Sequence, residues 1–174
     1  MRILVVIAGA TIVTASLVAS AACSGVTSAG AEGQPWGING KYVATSNGGY
    51  ARTNDVFHDE ASLRSIWTVS TTCSFPTVCE GQVSSDQGWT APIYDRNGLW
   101  YVKRVVPNWE PCGDGTAAPG LQTFSFYAGD PNTGFGDNAS NSYFGQDNTI
   151  GQSGACGHNK PLEIVMPFKL IPSG

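Results

Sequence analysis

The 174-residue sequence predicts an all-β protein: one antiparallel β domain, a small barrel or a sandwich of about seven or eight strands, behind an N-terminal export segment. Three observations predict it. Leu162, Ile164, Met166, Phe168 and Leu170 fall on one face and Glu163, Pro167 and Lys169 on the other, a period of two that marks a half-buried strand. Asn97-Gly98 stands between two β-rich arms, a strong short-range hairpin signal. Short runs of Val, Ile, Thr and aromatic residues alternate with Gly, Asn, Asp and Pro clusters along the rest of the chain. The length suits one core, since two self-sufficient cores would be crowded into it.

The N-terminus carries its own signal. Met1-Arg2 gives a short positive start, residues 3–19 carry no charge, and small residues follow up to Cys23. This is the three-part layout of a secretory leader, and the run is shorter than the roughly 20 apolar residues a bilayer span needs. Residues 1–22 are therefore expected to be a signal peptide. Ala19-Ser20-Ala21 offers an ordinary cleavage site, whereas Ser20-Ala21-Ala22-Cys23 resembles a bacterial lipobox with Ser20 where Leu is usual. Cysteine parity favours lipidation at Cys23, because removing it from five cysteines leaves an even set. Residues 23–35, rich in Gly, Ser and Ala, read as a flexible tether, and residues 36–174 as the β domain.

Within that domain, strands are expected at 41–45, 65–70, 80–84, 89–94, 99–106, 122–127 and 162–170, and residues 59–66 could form a helical turn. Pro167 cannot donate to a ladder, which predicts an edge or a bulge there. Outside the cytosol four cysteines usually make two bridges. Pro76 favours a turn between Cys73 and Cys79, which pairs those two and leaves Cys112 with Cys156. A zinc site built from Cys112, Cys156 and His158 lacks the second close ligand pair such sites use.

Several segments taken together resemble a group of small exported proteins and lipoproteins of mycobacteria and related actinobacteria. They are residues 40–46 (GKYVATS), Cys73-x5-Cys79 running on to Trp89, residues 100–112 with 114–120, Ser153-Gly-Ala-Cys156-Gly, and Met166-Pro-Phe-Lys-Leu170. The resemblance spans nearly the whole mature chain. It implies an envelope location and a disulfide-bonded β domain, with no catalytic residues to carry over.

Composition excludes other classes. Net charge is −4 and no basic run exceeds Lys103-Arg104, so the electrostatic footprint of a nucleic-acid binder is missing. Catalytic groups are sparse: two His, no G-x-S-x-G, no C-x-x-C. Ser153, His158 and Asp114 make a triad only on paper, and Asp86, Glu110 and Asp114 are carboxylates without a stated partner. Residues 130–138 suggest a calcium loop, but Phe135 stands where the obligatory Gly belongs. No cofactor and no metal are expected. Five Trp and six Tyr form a large amphipathic inventory, most of it core. Trp109, between Pro107 and Pro111, and Trp89, after Gly88, are the candidate binding anchors. The expected function is an extracytoplasmic, non-catalytic binding or structural module, attached to the outer face of the cytoplasmic membrane or secreted. Its partner would be a cell-envelope protein or a cell-wall component. The alternative is a lipocalin-like carrier of a small apolar ligand, with an envelope hydrolase ranking behind both.

Overall fold

The computed structural model describes residues 36–174. The signal segment, Cys23 and the tether lie outside the described residues. Ten strands follow in order: β1 (Gly40–Ser46), β2 (Arg52–Thr53), β3 (Val56–Phe57), β4 (Leu63–Phe75), β5 (Val78–Ser85), β6 (Thr90–Arg96), β7 (Leu99–Pro111), β8 (Ala117–Ala128), β9 (Tyr143–Gly151) and β10 (Glu163–Pro172). From β4 to β10 each strand pairs antiparallel with the next. β1 lies between β10 and β4, so eight strands close into a barrel. The β2–β3 hairpin continues the β1 edge along β10.

Local sequence explains the corners. Asn97 and Gly98 form the two-residue loop between β6 and β7, both with positive φ (57° and 82°), as a type I′ turn requires. Pro167 sits where the edge of β10 passes from one neighbour to another. β1 ends at Ser46 opposite Phe168, the chain detours through a 3-10 turn at Gly48–Tyr50, and β2 rejoins at Arg52 opposite Val165. Pro167 offers its carbonyl to Asn47 N there, and its missing N–H falls in the gap between β1 and β2. Gly81 and Gly145 mark two tight approaches. A β-carbon at either would overlap the carbonyl oxygen of Ser70 or of Ser125 on the adjacent strand.

The barrel interior is solid through its middle. Trp67 is the hub, its ring centroid 4.8 Å from Phe124, 5.3 Å from Phe168 and 5.4 Å from Trp89. Val83, Ile93, Val102, Phe126 and Leu170 fill the rest. The edge-to-face pairs with Phe124 and Trp89 contribute about 0.5–1.5 kcal/mol each beyond their buried area. Met166, Phe168 and Leu170 are buried as the period-two pattern of β10 predicts, and Pro167 and Lys169 are exposed.

Both expected disulfides form. Cys73–Cys79 crosses the β4–β5 hairpin, and Cys112–Cys156 ties the end of the β7–β8 hairpin to the β9–β10 connection. They fit an oxidising, extracytoplasmic setting. The chain-entropy model assigns about 2.4 and about 4 kcal/mol to the two loops.

One expectation is corrected: residues 59–66 contain no helical turn, since residue 63 already opens β4. A strand not expected from the sequence, the nine-residue β9, lies within the segment bounded by the second disulfide.

Candidate functional site

The inward-facing rows of β1, β7, β8 and β9 turn polar at one end of the barrel. Ser46 follows Tyr42 and Ala44, Arg104 follows Trp100 and Val102, Gln122 precedes Phe124 and Phe126, and Asp147 follows Tyr143. These four side chains floor a cavity of about 210 Å³ whose walls are Trp67, Trp89 and Phe124, with Arg64 and Gln87 at the rim.

Hydrogen bonds fix the floor. Ser46 Oγ donates to Asp147 Oδ2 at 2.6 Å. Gln122 Nε2 donates to both carboxylate oxygens at 2.8 and 3.0 Å, and Gln122 Oε1 accepts from Arg104 Nε at 2.7 Å. The two outer partners define which way the Gln122 amide points, because a carboxylate accepts and a guanidinium only donates. Asp147 is 1% exposed. Burial pushes its carboxyl above the ordinary range, against the pull of Ser46, Gln122 and the Arg104 charge. Burial also lowers the affinity of Arg104 for its proton, and Asp147 opposes that shift. The opposite charges are thus joined through an amide and are not in direct contact.

Arg104 is oriented from a second side. Its guanidinium lies 4.5 Å from the Trp89 ring centroid, and Trp89 stacks nearly parallel to Phe124, 12° apart in plane. A guanidinium has five N–H donors. Only the Nε–H has an acceptor among the described residues, and the terminal nitrogens have none. The arrangement can hold a small molecule with an acceptor head on Arg104 and a flat or apolar body against Trp89 and Trp67.

Of the anchors read from sequence, Trp89 is in this mouth and Trp109 is not. Trp109 is half-buried, its ring laid over Gly120, where a β-carbon would collide with it. The register breaks between Val106 and Glu110, with Asn108 at positive φ, as a stretch flanked by prolines requires. Cys73, Cys79, Cys112 and Cys156 are all bridged, so the zinc arrangement has no thiolates to use. Ser153 Oγ donates to Asn159 O, Asp114 accepts from Thr116, and His58 pairs with Glu60 at 3.0 Å. Asp86, Glu110 and Asp114 do not line the mouth. In the 130–138 loop, Asp130 and Asp137 accept from backbone amides of their own turns. Among the described residues no three His, Cys, Asp or Glu side chains form a metal cluster.

Arg104, Gln122, Asp147 and Ser46 escaped the sequence reading. For two of them the signal was present: Arg104 shares the parity of Trp100 and Val102, and Gln122 that of Phe124 and Phe126.

No protein-family model and no curated protein matches the chain. Among solved structures it is similar to the monomer form of the M. tuberculosis PknI sensor domain. The identity is 13%, the match covers 79% of this chain and 88% of that one, and the TM-score is 0.53. The two share a fold. At this identity the likeness carries the architecture alone. Like the group that the sequence motifs resemble, the neighbour is mycobacterial.

Proposed function

We propose that the protein is an exported, non-catalytic recognition module of the cell envelope, anchored through lipid on Cys23, whose barrel mouth takes a small anion from the cell wall or another envelope component. One observation carries the ligand class. Arg104 is a partly desolvated cation, aimed by Trp89 and Gln122, with its terminal nitrogens free for a planar acceptor such as a carboxylate or phosphate. The filled barrel centre supports a ligand held at the mouth. The likeness in fold to a domain described as a sensor supports a recognition role. Bridging of the other four cysteines supports the assignment of Cys23 to the anchor.

Calorimetric titration with benzoate and with benzyl alcohol tests this reading. Benzoate is expected to bind more tightly than the alcohol, and Arg104→Gln to bring benzoate down to the level of the alcohol. Unchanged benzoate binding in that variant, or no binding of benzoate at millimolar concentration, would refute it. The apolar walls formed by Trp67, Trp89 and Phe124 favour one second reading, the carrier of a small apolar ligand. Equal binding of alcohol and carboxylate would select it. Mass spectrometry of the native protein checks the anchor: an N-terminus at Ala22 without lipid would remove it.

A further inference from the structure

The opposite end of the barrel is built from different chemistry. Asp95 is the last inward residue of β6 and stands opposite Trp100 in the ladder. It is 2% exposed. Its Oδ1 accepts from Gly98 N at 3.1 Å, which holds the Asn97-Gly98 turn. Its Oδ2 receives no hydrogen bond from the described residues, although a buried carboxylate ordinarily collects several. Asp95 lines an open pocket of about 600 Å³.

Among the described residues Asp95 is the sole charged side chain in that wall, and no Lys, Arg or His contributes to it. Arg96 acts on Asp95 only from the side. Its guanidinium lies 5.1 Å from the Tyr94 ring centroid and reaches back to the main-chain oxygen of Asp95 at 3.4 Å. When ionised, Asp95 therefore gives the pocket a negative charge with no cation among the described residues of its wall.

Aromatic side chains line the same pocket. Tyr42 and Tyr143 meet edge-on, 6.0 Å between centroids, and Trp100 lines the same pocket. Burial pushes both phenols above their usual range, so they stay neutral, and each ring leaves only a small part of its surface open. Asn39, Thr77, Asn138, Ser140 and Asn141 line the pocket as well, but among the described residues no three His, Cys, Asp or Glu side chains gather there to hold a metal ion. A carboxylate among aromatic faces is the chemistry that recognises alkylated ammonium groups.

We propose that this pocket is a second binding site, which holds an organic ammonium ion between Asp95 and the rings of Tyr42, Trp100 and Tyr143. The site is independent of the mouth. The two ends would take ligands of opposite charge.

Choline is the probe, with its neutral carbon isostere (a tert-butyl group in place of trimethylammonium) as control. Amide and indole NMR reads the Gly98 amide and the Trp100 indole, with the Trp89 indole as the reporter of the mouth. Choline is expected to shift the first two at millimolar concentration and leave Trp89 in place. The neutral isostere should bind at least roughly tenfold more weakly, as should choline to Asp95→Asn, which keeps an acceptor for Gly98 N–H. The ratio of choline to isostere on the unaltered protein decides the matter even if the variant is damaged. Equal binding of the two probes, no shift with choline, effective competition by calcium, or unchanged affinity in a folded Asp95→Asn protein would each overturn the proposal.

Discussion

Gly145→Ala tests the barrel geometry most directly. Gly145 pairs with Phe126 on β8, and its added β-carbon would overlap Ser125 O and come within 2.6 Å of Phe126 Cα. The obstruction is backbone, so no side chain can rotate out of the way. Relief requires β9 to move off β8 by about 1 Å, which takes neighbouring N–H···O contacts from about 2.9 Å beyond hydrogen-bonding distance. Two or three such bonds at about 1 kcal/mol net each give a loss of roughly 3 kcal/mol, before any disturbance of Phe126 and Tyr143 is added. For a domain of roughly 140 residues, with an unfolding entropy near 2 cal/mol/K per residue, that lowers Tm by about 10 °C. Gly113→Ala is the control, because a β-carbon there meets open space and φ is not positive. Differential scanning calorimetry of the two variants is the assay. A Gly145→Ala protein melting alongside Gly113→Ala would refute the close approach of β8 and β9.

Two further outcomes are expected. Replacing Cys112 and Cys156 together by Ser opens the longer loop, with a loss of about 4 kcal/mol and a Tm lower by more than 10 °C; a variant melting within a few degrees of the parent would show that packing alone holds the β7–β8 extension. Burial raises the carboxyl of Asp95 in the folded state, so its contribution to stability is fully present below the ordinary aspartate value of about 4 and is lost as pH rises through the raised value. Thermal melts of Asp95→Asn against the parent should therefore show the variant gaining relative stability from acid to neutral pH, and a flat difference would contradict the shift.

Much of the scaffold was legible because local physics and the global fold agree there. Asn97-Gly98 demands positive φ at two successive residues, and the chain turns there. In β10 the inward positions are Met166, Phe168 and Leu170, so a period of two announces the strand. β9 was illegible for the converse reason. Its inward positions are Tyr143, Gly145, Asp147, Thr149 and Gly151, a set with little apolar contrast against its outward neighbours. Two of those glycines are where neighbouring groups leave no room for a β-carbon, and Asp147 is where the mouth needs its buried charge. The site was hidden with it: Ser46, Arg104, Gln122 and Asp147 come from four strands and meet only when the barrel closes. The Gly-Trp turn singled out Trp89, which does line the mouth, whereas the proline-flanked setting of Trp109 fixes an irregular backbone without exposing the ring.

Closure of the eight strands also governs how copies of the molecule tolerate crowding. Along the paired spans of its staves the cylinder leaves no free backbone amides for a neighbour to copy, so association by strand addition is blocked there. Among the described residues the ladders stop short at β3, where Val56 and Phe57 are both exposed, along β7 beyond Val102 on the β6 side, and along β4 beyond Val69 on the β1 side. A surface layer of densely gathered copies would thus meet mostly through side chains, with main chain able to join main chain only where ladders end.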